Sequence, residues 1–72
     1  MTREEHLAWC KQRALEYVDA DDMVNAFGSI VLDLGKHEGT QGHPAIQLGM
    51  MQMMIGGLRT SQEMRQFIEG IN

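Results

Sequence analysis

The chain has 72 residues, ten of them acidic and six basic, with a formal net charge of −4. This length corresponds to one domain, which buries only about 60 % of the surface that its unfolded form exposes. Because Cys10 is the sole cysteine, a disulfide within the chain is excluded, and a metal ion or oligomerisation remains as a source of additional stability.

The basic residues are scattered and form no stripe of the kind that nucleic-acid binding needs. They are Arg3, Lys11, Arg13, Lys36, Arg59 and Arg65. We therefore expect no direct contact with nucleic acid. With no signal peptide and no apolar run of about 18 residues, the sequence predicts a cytoplasmic protein without a membrane partner.

The first two helices are predicted from caps and apolar spacing. Thr2 and Glu5 form a capping box, and helix one is expected from Arg3 to Asp19. Its apolar stripe is Leu7, Cys10, Ala14, Tyr17 and Val18, flanked by Trp9 and Leu15. Helix two follows the turn at residues 19–22, ends near Lys36 and carries Met23, Phe27, Ile30, Val31 and Leu34. Gly28 within it weakens the helix by about 1 kcal/mol and predicts a close crossing by a neighbour.

A loop with three glycines, residues 35–43, leads into the segment from Pro44 to Ile55, which carries no charge. Proline suits a first helical position and Gly56 suits the end of a helix. This helix is too short to span a bilayer, which takes about twenty apolar residues. Since it is apolar nearly all round, we expect its burial, with the rest of the chain wrapped about it.

The fourth helix is predicted from a second capping box, Thr60 with Glu63, followed by Met64, Phe67, Ile68 and Ile71, with Gly70 at its end. No segment alternates with the period of two that is typical of a strand. The predicted fold is all-α, a compact four-helix domain of two helical hairpins that forms a single domain over residues 1–72.

Methionine is the strongest compositional signal, with seven residues, four of them between Met50 and Met54. Methionine fills irregular gaps in cores and also coats binding surfaces. Either the other three helices cover both sides of the Met-rich helix, or one side mediates a homodimer or a higher symmetric assembly. Trp9 is a further candidate, since tryptophan is enriched at interface hot spots. The candidate interface residues are Trp9, Met50, Met51, Met53 and Met54.

Four residues have a spacing that could suit a metal ion. His6 and Cys10 stand four apart on one helix face, and His37 and His43 flank the glycine loop. Together they could form a zinc site with one cysteine and three histidines. However, structural zinc sites usually contain a close cysteine pair, and His43 before Pro44 suits a helix cap. We expect no metal and no cofactor.

No residue pattern indicates catalysis. Cys10 has His6 beside it, but the backbone N–H groups around it are committed to the helix and cannot form an oxyanion hole. The carboxylates Glu16, Asp19, Asp21 and Asp22 cluster at one turn and lack the ligand pattern of a calcium loop. We therefore predict that the chain is not an enzyme.

Two resemblances bear on function. Ala14, Tyr17, Ala26 and Ile30 have a spacing similar to part of a tetratricopeptide-like hairpin, which we attribute to shared helix pairing, since the tryptophan and leucine-glycine positions of that family differ here. The whole chain resembles short proteins of unknown function encoded by tailed phages and prophages. This resemblance rests on residues 1–7, on Lys36-His37 and on residues 63–70.

The phage resemblance implies a small protein that binds and blocks a host protein, for example a defence component, in the cytoplasm of the host cell. The predicted function is thus a self-associating protein-interaction module. One alternative is a purely structural assembly subunit. Another is capture of a small ligand or nucleotide at an oligomer interface, with Arg13, Lys36 or Arg59 converging on an anion.

Overall fold

The computed structural model describes residues 2–72; Met1, the first residue of the predicted domain and of the opening motif, lies outside the described residues. Within residues 2–72 the chain forms four α-helices and no strand. They are α1 Arg3–Asp19, α2 Met23–Leu34, α3 Pro44–Met54 and α4 Ser61–Glu69. The predicted all-α four-helix fold is confirmed.

Side chains cap each helix at its first turn. The Thr2 hydroxyl accepts from the Glu5 N–H at 3.1 Å while the Glu5 carboxylate accepts from the Thr2 N–H at 2.9 Å. Thr60 and Glu63 form the same reciprocal pair at the start of α4. His43 caps α3, because its Nδ1 accepts from the Ala45 N–H at 2.9 Å. Both predicted capping boxes and the predicted cap at His43 are confirmed.

The core lies between α1, α2 and α4. The buried apolar residues are Leu7, Cys10, Ala14, Val18, Ala26, Ile30, Leu34, Ala45, Leu58, Met64, Ile68 and Ile71. The predicted stripes of α1, α2 and α4 supply most of them, although Tyr17 is exposed. α1 packs against α2 as a predicted hairpin, and α4 packs across both. The second predicted hairpin is not formed, because α3 makes few close backbone contacts with α4 or with the other helices.

The main-chain oxygen of Asn72 joins distant parts of the chain. Arg3 Nη2 donates to it at 3.0 Å, and His43 Nε2 lies 2.6 Å from it. Arg3 Nε also donates to the Gly39 carbonyl at 2.9 Å. These bonds hold the start of α1, the glycine loop and the residues after α4 together, and thereby fix where α3 begins.

The lengths and compositions of the helices bear on membranes. No helix within the described chain is both long enough and apolar enough to cross a bilayer.

Candidate protein-interaction surface

The fully buried residues of α3 are small, and the half-buried Ile46 packs beside them. Ala45 and Gly49 are buried, and a Cβ on Gly49 would lie 2.5 Å from Phe27 Cε1 and 2.7 Å from Phe67 Cζ. These are closer than carbon atoms can approach, so only glycine lets the α3 backbone rest on this aromatic pair. The close crossing predicted at Gly28 is wrong: a Cβ there meets nothing within 4 Å.

The large apolar residues of α3 and its end point outward. We name as the α3 outer face the exposed side chains of Leu48, Met50, Met51, Met53, Met54 and Ile55. On one flank of this face exposure rises from 51 % at Leu48 through 64 % at Met51 to 85 % at Ile55, whereas Met50 and Met53 are 47 % and 37 % exposed. The prediction that the rest of the chain wraps the Met-rich helix is therefore wrong for a single copy of the chain.

The geometry of the other helices explains this exposure. α1, α2 and α4 each have one apolar stripe, and they bury these stripes mostly against one another. The half-buried rings of Phe27 and Phe67 remain for α3 to cover. Only a narrow strip around Ala45 and Gly49 fits against them, so the opposite side of α3 has no intrachain partner to bury it.

The α3 outer face is apolar and uncharged over its whole length. No residue from Pro44 to Leu58 carries a charge. A shallow groove of about 280 Å³ lies between its protruding side chains and is lined by Leu48, Met51, Gln52, Met54 and Ile55. Contiguous exposed apolar surface rimmed by polar residues is typical of interaction sites.

Trp9, the other predicted interface residue, is half-buried on a different part of the molecule. Its ring lies 4.8 Å from the Arg13 guanidinium carbon and 5.7 Å from Lys36 Nζ, and the His6 ring packs at 5.6 Å. His6 and Arg13 belong to α1 and Lys36 follows α2, so none of these neighbours belongs to α3. The structure thus does not bring Trp9 together with the four methionines, and its role as an anchor stays a prediction.

Asp33, which the sequence analysis did not single out, is a buried carboxylate that binds the same two cations. Arg13 Nε donates to its Oδ2 at 2.8 Å, Ser29 Oγ donates to the same oxygen, and Lys36 Nζ lies 3.1 Å from Oδ1. Burial raises the pKa of Asp33, but the hydrogen bonds from Lys36 and Arg13 outweigh it and hold the pKa below its ordinary 3.8. Its helical spacing from Ala26 and Ile30, both core residues, is the signal that could have revealed it.

The four metal candidates are divided between two places. His6 stacks on His37 with ring centroids 5.0 Å apart, and Cys10 Sγ lies 3.4 Å from His6 Nε2. That nitrogen is 2.8 Å from the Asp33 carbonyl, which can only accept, so it carries a proton and is not a metal ligand. His43 uses both ring nitrogens in the cap and the bond to Asn72. Residues 2–72 hold no group of three or more His, Cys, Asp or Glu side chains arranged for a metal ion.

The Cys10 thiol is fully buried within the core. Burial raises its pKa, and the negative charge of Asp33 raises it further. A reactive cysteine needs the opposite conditions, a lowered pKa and access to substrate. This environment is that of a small apolar core residue.

Comparison with known proteins assigns neither a family nor a function to this surface. No family model, curated protein or solved structure matches the chain.

Proposed function

We propose that this chain is a protein-interaction module that acts by binding and not by catalysis, and that it self-associates through the α3 outer face. The observation that carries the proposal is which side chains of α3 face the core and which face outward. Ala45, Gly49 and the half-buried Ile46 face the chain's own core, while Leu48, the four methionines and Ile55 just after the helix are exposed. A surface helix of a monomer has the opposite order.

The size of the domain supports self-association. Several of the twelve apolar residues buried within residues 2–72 are small, among them Ala14, Ala26 and Ala45. A core of this kind supplies little net stability, and oligomerisation is one of the usual supplements in chains of this length. The burial of Cys10 and the commitment of Arg13 and Lys36 to Asp33 support binding over covalent chemistry.

The test is the solution mass of the native chain and of the double variant Met51→Glu/Ile55→Glu. We expect the native chain to have the mass of a dimer or a higher assembly and the variant to be monomeric, since charges buried at an interface are costly. Both side chains are exposed in one copy, so circular dichroism should show the same helix content in the variant.

A matched control is Val24→Glu/Leu32→Glu, which places the same charges on exposed apolar positions of α2. This control should keep the native mass. A native chain that is monomeric at every concentration, or a control that dissociates while the α3 variant does not, would contradict the proposal.

Binding of a second, different protein is a separate part of the proposal, and it rests on the phage resemblance. Crosslinking in the producing cell tests it. Recovery of one host protein at a fixed ratio supports an inhibitor, whereas contacts between copies alone support a structural assembly subunit.

A further inference from the structure

The α3 outer face also contains information on how two copies meet in the proposed self-association. Leu48, Met51 and Ile55 follow one another at spacings of three and four, so they form a straight ridge along one side of the helix. A ridge of this spacing packs against a second helix with an interaxial distance of about 8–10 Å. The ridge thus fits a helix better than it fits a strand or a small molecule.

The charge pattern favours a second copy of the same chain as the occupant. The acidic excess of the protein lies outside residues 44–58, which are uncharged. A partner selected by charge would need charged groups here, whereas an uncharged apolar face is complementary to itself across a two-fold axis.

A stable dimer would use only a limited share of the surface of this chain. A stable interface buries about 800 Å² per partner, which is about one sixth of the 4623 Å² that the chain exposes. The α3 outer face and the two grooves beside it, which border Leu48 and Ile55 and meet at Phe67, are candidates for that area.

The rise in exposure along the ridge determines the direction of pairing. Leu48 at the beginning is half-covered, while Met54 and Ile55 at the end protrude at 86 % and 85 % exposure. An antiparallel pair places each protruding end over the recessed beginning of the other helix. A parallel pair would instead bring two protruding ends together and leave a gap at the other end. Antiparallel helix dipoles also attract each other.

We propose that two copies pair α3 against α3 in antiparallel orientation, with the two-fold axis beside Met51 and with Leu48 of each copy facing Ile55 of the other. This pairing rests on the proposed self-association. It forms one isologous interface, which closes as a dimer and does not propagate into a filament.

Disulfide trapping distinguishes the two orientations. The variants are Met51→Cys, Leu48→Cys and Ile55→Cys, each oxidised alone, together with an equal mixture of the last two. With a rise of about 1.5 Å per residue, the antiparallel pair separates the two copies of position 48, and those of position 55, by about 10 Å along the axis. That exceeds the reach of a disulfide, whose Cα atoms lie about 4.4–6.8 Å apart.

We expect Met51→Cys alone and the Leu48→Cys/Ile55→Cys mixture to form about tenfold more linked dimer than Leu48→Cys or Ile55→Cys alone. The native chain is the control, because buried Cys10 should not link copies. Efficient self-linking at all three positions would show parallel pairing and overturn the inference. A dimeric mass without any linking would show that another surface pairs. A monomeric mass would contradict the self-association itself.

Discussion

At Gly49 the absence of a side chain determines how closely α3 approaches the core. We predict that Gly49→Ala lowers the free energy of unfolding by about 1–2 kcal/mol, because the clash with Phe27 and Phe67 outweighs the higher helix propensity of alanine. Urea denaturation at one fixed protein concentration measures the change.

Gly28→Ala is the matched control for this prediction. It lies in a helix interior and a Cβ there meets nothing within 4 Å, so it should raise the free energy of unfolding by about 0.5–1 kcal/mol. If both variants were stabilised equally, the contact between Gly49 and the two rings would not restrict the packing of α3.

Asp33 is the residue whose ionisation is tied most closely to folding. Asp33→Asn should lower the free energy of unfolding by about 1–2 kcal/mol at neutral pH, since it removes the charge that Arg13 and Lys36 contact while both cations can still reach water. Asp21→Asn is the control, because Asp21 is exposed and asparagine tolerates its positive φ of 60°. Thermal denaturation of both variants provides the comparison.

The same carboxylate makes the free energy of unfolding depend on pH in the acidic range. The pKa of Asp33 is lower in the folded chain than its ordinary 3.8, so its contribution is complete above that value. As the pH falls below 3.8 the unfolded chain takes up the proton first, and the contribution disappears as the pH passes through the folded pKa. The difference in stability between the native chain and Asp33→Asn should therefore shrink in this window, and a difference that stays constant down to pH 2 would contradict the assignment.

Among the elements, α4 depends most on its cap because it has only nine residues. Thr60→Ala removes the acceptor for the Glu63 N–H and should lower the free energy of unfolding by about 1 kcal/mol. Thr60→Ser keeps the hydroxyl and should stay close to the native value. Loss of stability in the serine variant as large as in the alanine variant would show that the threonine methyl group, and not the cap, is responsible.

Local sequence signals were sufficient to locate the helices. The capping boxes at Thr2 and Thr60 and the proline at position 44 depend only on neighbouring residues, so they predicted where α1, α4 and α3 begin. The buried residues Met64 and Ile68 of α4 were also predictable from apolar spacing, whereas in α2 the spacing identified Ile30 and Leu34 but not the buried Ala26.

The side of α3 that faces the core was not predictable in the same way. Apolar residues occur on both sides of it, so the pattern does not distinguish inside from outside. The distinction comes from Phe27 and Phe67, whose rings leave room only for Gly49. The spacing of apolar residues within one helix cannot predict a contact that involves residues from three helices. Asp33 was missed for a related reason, because its partner Arg13 lies on another helix.

At the scale of the whole molecule, self-association couples stability to concentration. If folded copies pair and unfolded chains do not, mass action raises the melting temperature as the protein concentration increases. Each tenfold increase above the dissociation constant adds about 1.4 kcal/mol to the stability of the paired state. Differential scanning calorimetry over two decades of concentration should show this rise for the native chain.

The variant Met51→Glu/Ile55→Glu turns this dependence into a test of the α3 outer face. Its melting temperature should be independent of concentration and should equal the value that the native chain approaches at high dilution, because both glutamates lie in water in the single copy. A variant that melts below this limit would show that Met51 and Ile55 stabilise the fold of one copy. A native chain whose melting temperature does not change with concentration would instead require that the outward-facing apolar residues of α3 remain in contact with water.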